Sequence, residues 1–189
     1  MKKLFVVCSL VVALFGVMAF NAGASMITGA LSLSGTSVQN NLDLIVATAF
    51  TSFSNVVVSG TGGNGDYAPA LSGQSVTFTP FTFRPSLSPD PVVPLWTFAV
   101  GGKTYSFDAT SLTISGSTFN TISMSGTGIA HITGFTDTPG NWYFSANGSQ
   151  GTASFSASTQ TSPVPLPAAM LLFGPGLAGL AAMRRRLKK

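Results

Sequence analysis

The chain has 189 residues, with nine Lys or Arg, five acidic residues, one His and a formal net charge of +4. Residues 25–162, however, contain only Arg84 and Lys103 against five Asp, so this stretch has a net charge of −3. A nucleic-acid binder gathers Lys and Arg on a folded surface, and a cytosolic helical protein uses many Glu and Lys. The composition argues against both classes.

The first 24 residues have the pattern of a secretory signal peptide. Two lysines come first, residues 4–20 are apolar apart from Ser9, and a small-x-small sequence follows. We predict export and cutting by signal peptidase; the apolar run is long enough that a permanent N-terminal membrane anchor is the alternative. The predicted cleavage-site residues are Ala22, Ala24 and Ser25.

Cys8, the only cysteine, lies inside the predicted signal peptide. The mature protein would then carry no thiol, which excludes a disulfide and cysteine-based catalysis.

Residues 25–162 read as an exported Ser/Thr/Gly-rich β domain. β-Branched and aromatic residues alternate with Ser and Thr between Gly, Pro, Asn and Asp, and no helical period is present. In 153–157, for example, Ala153, Phe155 and Ala157 alternate with serines. Many short strands with one apolar face predict an all-β fold, an antiparallel β-sandwich or barrel-like domain. The predicted strands are 27–34, 42–50, 55–59, 75–83, 95–100, 103–109, 111–115, 118–124, 128–133, 141–146 and 152–158, and 42–50 also suits a helix.

Two glycine-rich segments resemble ligand-binding loops. Residues 101–104, Gly-Gly-Lys-Thr, end like a phosphate loop, but position 97 is Thr where that motif needs Gly. We predict a hairpin turn there. Residues 62–66 resemble one calcium-binding repeat with its Asp one position early, so we predict a plain loop.

Few residues of the domain suit catalysis, and we predict no enzyme activity, no cofactor and no metal site. His131 is the only histidine, and nothing in the sequence ties it to an acid or a nucleophile. A spatial triad or a pair of Asp residues for glycoside hydrolysis stays open, with Asp108, Asp137 and His131 as the residues to substitute.

Aromatic residues of the domain offer a second route to function. Trp96, Trp142, Tyr143 and Tyr67 could stack on sugar rings if they are exposed. In small β domains such residues more often fill the core. The first three are the candidate glycan contacts.

The last 27 residues, 163–189, have the pattern of a membrane-directed tail. Residues 166–183 are uncharged and mostly apolar, and as a helix they would span roughly 27 Å, close to a bilayer core. Arg184, Arg185 and Arg186 follow, with two lysines, and such a basic cluster stays on the cytoplasmic side. We predict a C-terminal transmembrane helix over 166–183 and a basic tail over 184–189.

Near its start this tail has Val164-Pro165-Leu166-Pro167, ahead of the apolar run and Arg184–Arg186. This order of motifs resembles the PEP-CTERM protein-sorting signal, in its VPLPA variant. The resemblance covers about a seventh of the chain, and Pro175 departs from the usual small residue. It implies recognition by an exosortase, a membrane-embedded transpeptidase-like enzyme of Gram-negative bacteria, and delivery to the surface or the exopolysaccharide. An ordinary single-span anchor is the alternative. The implied recognition motif is Val164, Pro165, Leu166 and Pro167.

The sequence therefore predicts an exported, non-enzymatic β protein that passes through an inner-membrane intermediate to the cell surface or matrix. A structural or adhesive role in exopolysaccharide or biofilm is the leading interpretation. A carbohydrate-binding module that uses exposed aromatic residues is the alternative, and a secreted hydrolase is the third. The expected partners are signal peptidase, exosortase, exopolysaccharide and, before processing, the membrane, with no nucleic acid.

Overall fold

The computed structural model of the protein describes residues 24–149 and 151–161. The predicted signal peptide up to Gly23, the predicted sorting motif, the predicted transmembrane helix and the predicted basic tail lie outside these residues. Among the described residues, no helix is both long enough and apolar enough to cross a membrane.

All the strands belong to one ten-stranded sheet, and every strand pair is antiparallel. Its order is β3-β5-β6-β8-β9-β10-β1-β2-β4, with β7 paired to β8. The all-β antiparallel prediction is confirmed. The strands are β1 Gly29–Gln39, β2 Ala49–Val58, β3 Thr77–Phe78, β4 Phe81–Thr82, β5 Val92–Val100, β6 Lys103–Ala109, β7 Thr113–Ser117, β8 Thr121–Ile132, β9 Thr138–Ser149 and β10 Thr152–Thr161.

The sheet curls into a half-barrel, and residues 74–79 bridge its open side. The Val76 N–H donates to the carbonyl of Val56 in β2, while the Thr79 N–H donates to the carbonyl of Leu95 in β5. One segment thus pairs with strands from both ends of the sheet. This bridging covers backbone groups that an open sheet would leave unpaired.

The inner face of the curled sheet is filled by aromatic and aliphatic side chains, because alternate residues of each strand point inward. In β10, Ala153, Phe155 and Ala157 are buried while Ser154 and Ser156 are exposed. The alternation predicted for this strand is confirmed. The largest wholly buried side chains are Trp96, Trp142, Tyr67, Tyr105, Phe50, Phe83 and Phe107.

Some predicted strands coincide with strands of the structure and others do not. The predicted strand 103–109 coincides with β6, and the Gly101-Gly102 turn before it has positive φ at both glycines, as a two-residue hairpin requires. The predicted strand over 42–50 is wrong for residues 42–48, and only its last two residues belong to a strand, β2. The Asp43 carboxylate accepts a hydrogen bond from the Ile45 N–H, and the Asp43 carbonyl accepts one from Ala47. These bonds form a turn, because Asp competes for nearby backbone donors.

Other strand boundaries also differ from the predictions. The predicted strands 118–124 and 128–133 are parts of one continuous strand, β8, which runs from Thr121 to Ile132. The predicted strand 75–83 instead yields the short strands β3 and β4. β5 begins at Val92, three residues before the predicted start at residue 95.

Tyr67, the last residue of a 3-10 turn at Gly65–Tyr67, makes the folded domain less stable at alkaline pH. Burial raises the pKa of Tyr67 to about 12, with a smaller opposing effect from contact with Thr161 and a further rise from the charge of Asp66. The folded state therefore favours the neutral phenol. The resulting stabilisation is complete below pH 10 and is lost as the pH rises from 10 to about 12, by on the order of 2–3 kcal/mol.

Tyr67→Phe should accordingly flatten the alkaline decline in the free energy of unfolding, measured by urea titration from pH 8 to pH 11.5. Burial raises the pKa of Tyr105 as well, so part of the decline should persist. Equal declines in the two proteins would contradict the assignment to Tyr67.

Candidate functional site

The described chain begins beside the predicted signal-peptidase site. Ala24 and Ser25 are both exposed, while Ala22 lies outside the described residues. The Thr136 hydroxyl donates to the carbonyl of Ala24 at 2.6 Å, and the Thr136 N–H donates to that of Ser25 at 3.0 Å. A cut between Ala24 and Ser25 would remove only the first of these acceptors.

Packing of the domain starts directly after Ser25. Ile27 is wholly buried, and its N–H donates to the Thr138 hydroxyl at 2.8 Å. The Thr28 N–H and hydroxyl both donate to one Asp66 carboxylate oxygen, at 2.7 and 3.0 Å. A peptidase cutting before Ser25 would leave this anchoring intact.

The glycine-rich segment 62–66 holds β1 in place. Its Asn64 side-chain oxygen accepts from the Ala30 N–H at 2.7 Å, and its Asp66 carboxylate accepts from Thr28. Asn64 therefore contacts β1, and Asp66 contacts the residue just before it. Across residues 24–149 and 151–161, no group of three or more His, Cys, Asp or Glu side chains is arranged to hold a metal ion.

Two of the three candidate glycan contacts are in the core. Trp96 and Trp142 are each 1% exposed, and their indole N–H groups donate to the Thr159 hydroxyl and to the Ser111 carbonyl, both at 3.1 Å. Tyr67 is also buried. Sugar stacking needs an open ring face, so the glycan interpretation of Trp96 and Trp142 is wrong.

Tyr143, the third candidate, is 46% exposed on the outer surface of the sheet. The register places Ser125 of β8 on one side of it and Ser158 of β10 on the other. We call the outer surface of β8, β9 and β10 around Tyr143 the hydroxyl face. It contains a depression of about 450 Å³ whose polar side chains belong to Ser115, Ser123, Ser125, Tyr143, Ser145, Ser156 and Ser158.

The hydroxyl face combines one aromatic ring with rows of uncharged donors and acceptors. In the next row of the sheet, Ser123, Ser145 and Ser156 are register partners. Neighbouring strands lie about 4.8 Å apart, so these hydroxyls repeat at a short, regular interval. An aromatic platform flanked by hydroxyls matches the apolar faces and hydroxylated edges of sugar rings.

A second cluster joins the three residues named above as catalytic candidates. The His131 Nε2 atom lies 3.0 Å from an Asp108 carboxylate oxygen, and Nδ1 lies 2.8 Å from one of Asp137. His131 belongs to β8, Asp108 to the neighbouring strand β6, and Asp137 immediately precedes β9. Nothing in the sequence tied His131 to an acid, and it is the pairing of distant strands that brings both carboxylates to it.

This cluster is poorly arranged for hydrolysis. Both imidazole nitrogens already contact carboxylates, whereas a catalytic triad needs one nitrogen directed at a nucleophile. The ring also fills the space between Asp108 and Asp137, where a glycosidic bond and its attacking water would have to lie. A neutral imidazole has a single N–H, so only the imidazolium can donate to both carboxylates. We call the contacts of His131 with Asp108 and Asp137 the clasp, because they join β6, β8 and the turn before β9 at the surface.

We expect the two carboxylates of the clasp to contribute unequally to stability. The Asp108 side chain is 19% exposed and that of Asp137 is 69% exposed, so solvent screens the second contact more strongly. Asp108→Asn should lower the free energy of unfolding by about 1 kcal/mol and Asp137→Asn by less, as measured by urea titration at pH 6. A larger effect from Asp137→Asn would contradict this order.

The remaining predicted site residues, Val164–Pro167 and Arg184–Arg186, lie outside the described part of the chain. No protein-family model, curated protein or solved structure matches the chain.

Proposed function

We propose that this chain is an exported, non-enzymatic β protein that an exosortase sorts to the cell surface or the exopolysaccharide matrix, where it has a structural or adhesive role. The observation that carries the proposal is the tail, in which the motif Val164–Pro167 precedes an apolar run and then Arg184–Arg186. The signal-peptide pattern at residues 1–24 supports it from the other terminus.

The described domain is compatible with this role in two respects. Its anchoring contacts begin after the predicted cleavage site, at Ile27 and Thr28, so processing would spare them. Its hydroxyl face offers an uncharged, hydrogen-bonding surface, which suits contact with a hydrated polysaccharide. The occupied imidazole of His131 favours the non-enzymatic interpretation over the hydrolase.

The sorting proposal is tested by the intact mass of the protein in each cell fraction. The full-length chain is expressed in a Gram-negative host that has an exosortase and in the same host without it. We expect a mature species in the surface or matrix fraction that lacks the first 24 residues and has lost the tail. Without the exosortase, a species retaining residues 163–189 should stay in the inner membrane.

A matched pair of variants separates the motif from proline content in general. Pro165→Ala combined with Pro167→Ala should retain the unprocessed tail in the inner membrane, whereas Pro163→Ala, just before the motif, should be sorted normally. Equal masses and distributions in both strains would overturn the exosortase assignment. A species that keeps residues 1–24 would overturn the signal peptide in favour of an N-terminal anchor.

Carbohydrate binding is the second candidate function, and the exposed ring of Tyr143 within the hydroxyl face favours it. Affinity electrophoresis of the full-length protein through gels that contain a neutral glucan would measure it. Tyr143→Ala should abolish the retardation of migration. Phe119→Ala, which removes another exposed ring (54% exposed) away from the face, should leave it unchanged. Equal retardation of both variants would remove the hydroxyl face as the site.

A further inference from the structure

Arg84, the only arginine of the exported domain, is held rigidly by backbone carbonyls. Its Nη1 atom donates to the carbonyls of Leu44 (2.9 Å) and Ala47 (2.5 Å), and its Nη2 atom donates to the Ser117 hydroxyl at 3.1 Å. The guanidinium carbon lies 5.2 Å from the centre of the Phe83 ring. Three hydrogen bonds and a ring contact therefore fix the plane of this cation.

The pattern of acceptors identifies which N–H groups of Arg84 are in use. The Ser117 hydroxyl itself donates to the Leu44 carbonyl at 3.0 Å, so these two acceptors are neighbours. Neighbouring acceptors fit the edge of the planar guanidinium that Nη1 and Nη2 share. The second Nη1 hydrogen is directed at Ala47. This assignment leaves the Nε hydrogen and one Nη2 hydrogen, which lie parallel along the other edge.

That second edge is the one that binds a carboxylate in a bidentate manner. Within the described residues, neither N–H on it has a protein acceptor, and no Asp lies within ion-pair distance of Arg84. The two ion pairs among these residues both involve His131. A half-buried cation with a free bidentate edge is a receptor for an anion.

Arg84 lines a cavity of about 620 Å³. Phe83, Leu112 and Ile114 supply apolar wall, and Thr48 and Ser86 supply hydroxyls. Small-molecule sites typically have this size range and this mixture of apolar wall with a few polar groups. The cavity is separate from the hydroxyl face and from the clasp, since it shares no residue with either.

We propose that this cavity binds a sugar that carries a carboxylate, with the acid on the Nε/Nη2 edge of Arg84 and the ring against the apolar wall. The carboxylate follows from the guanidinium geometry. That it sits on a sugar rests on the proposed function in an exopolysaccharide. The net charge of −3 on residues 25–162 disfavours a densely charged polyuronate, so the ligand is an isolated acidic sugar in an otherwise neutral chain.

Calorimetric titration of the full-length protein in detergent tests the proposal with three probes. Cellobiouronic acid, a glucuronic acid linked to glucose, carries both ring and carboxylate; cellobiose lacks the carboxylate, and acetate lacks the sugar. We expect cellobiouronic acid to bind at least tenfold more tightly than either of the others. No binding of cellobiouronic acid would overturn the site, and equal binding of acetate would overturn the sugar assignment.

A pair of variants at Ser86 provides the structural control, because this exposed residue lines the cavity. Ser86→Asp places a competing carboxylate in the cavity that Arg84 also lines and should weaken binding at least tenfold, whereas the similarly sized, neutral Ser86→Asn should stay within about twofold. Equal effects of the two variants would overturn the role of Arg84. Arg84→Lys, checked for an unchanged melting temperature, should also weaken binding, since an ammonium lacks the planar fork.

Failure of this inference is distinguishable from failure of the proposed function. Binding is measured on the purified protein, and sorting is measured from masses in cell fractions. A correctly sorted protein that ignores cellobiouronic acid would overturn the cavity assignment alone. A protein that binds the acid but keeps both termini would overturn the sorting proposal alone.

Discussion

Replacing Phe144 with alanine is expected to lower the free energy of unfolding by about 3–5 kcal/mol. Phe144 is 2% exposed and packs against five other phenylalanine rings with centroid distances between 5.0 and 6.2 Å. These rings belong to β2, β3, β4 and β10, so one truncation loosens several elements. The five rings are those of Phe50, Phe53, Phe78, Phe81 and Phe155.

The measurement is guanidinium-induced unfolding followed by tryptophan fluorescence. Phe119→Ala is the control, because it deletes the same ring from an exposed position and should change stability by less than about 0.5 kcal/mol. A loss below about 1 kcal/mol for Phe144→Ala would mean that the cluster repacks around the missing ring.

Gly128→Ala is expected to lower the free energy of unfolding by about 3 kcal/mol, because it adds an atom where there is no room for one. A Cβ atom at Gly128 would lie 2.1 Å from the carbonyl oxygen of Asp108 and 2.4 Å from a ring carbon of Phe107. The carbonyl belongs to the paired strand β6 and cannot move without breaking the pairing of Ala109 with Gly128. The added methyl group therefore forces β6 and β8 apart.

Gly116→Ala is the matched control for this substitution. It lies in β7, and a Cβ atom there would meet no atom within 4 Å. It should be neutral or slightly stabilising, because alanine reduces the freedom of the unfolded chain. Thermal unfolding of the two variants gives the comparison, and equal melting temperatures would show that β6 and β8 can separate without cost.

The sequence could predict those features of the fold that depend only on residues close together in the chain. The strand 103–109 and its Gly-Gly turn follow from alternation and turn chemistry within a few residues. The continuity of β8 could not be predicted, because Gly126 and Gly128 are required by close approaches that only tertiary packing creates. A Cβ atom would meet the Ser111 carbonyl at Gly126 and the Asp108 carbonyl at Gly128. In 42–50, the composition suits a strand, but the hydrogen bond of the Asp43 side chain forms a turn there instead.

The functional sites needed contacts between distant positions. Alternation implies that Trp142 and Tyr143 face opposite sides of β9 but not which one faces the core. The clasp joins Asp108 to His131 across 23 positions, and Arg84 reaches Leu44 across 40. No local pattern encodes such pairs, so the register of the sheet decides them. The predictions for the termini lie outside the described residues and stay predictions.

The position of β10 within the sheet determines how the domain would carry a mechanical load. Ten of its residues pair with β1 and ten pair with β9, and its last residue, Thr161, is the partner of Gly29. Tension applied to the chain beyond Thr161 enters through this central strand and runs along its axis. Extracting β10 in that direction requires the hydrogen bonds of both ladders to shear together, so a domain tethered at this end would resist flow-induced unfolding better than one held through an edge strand.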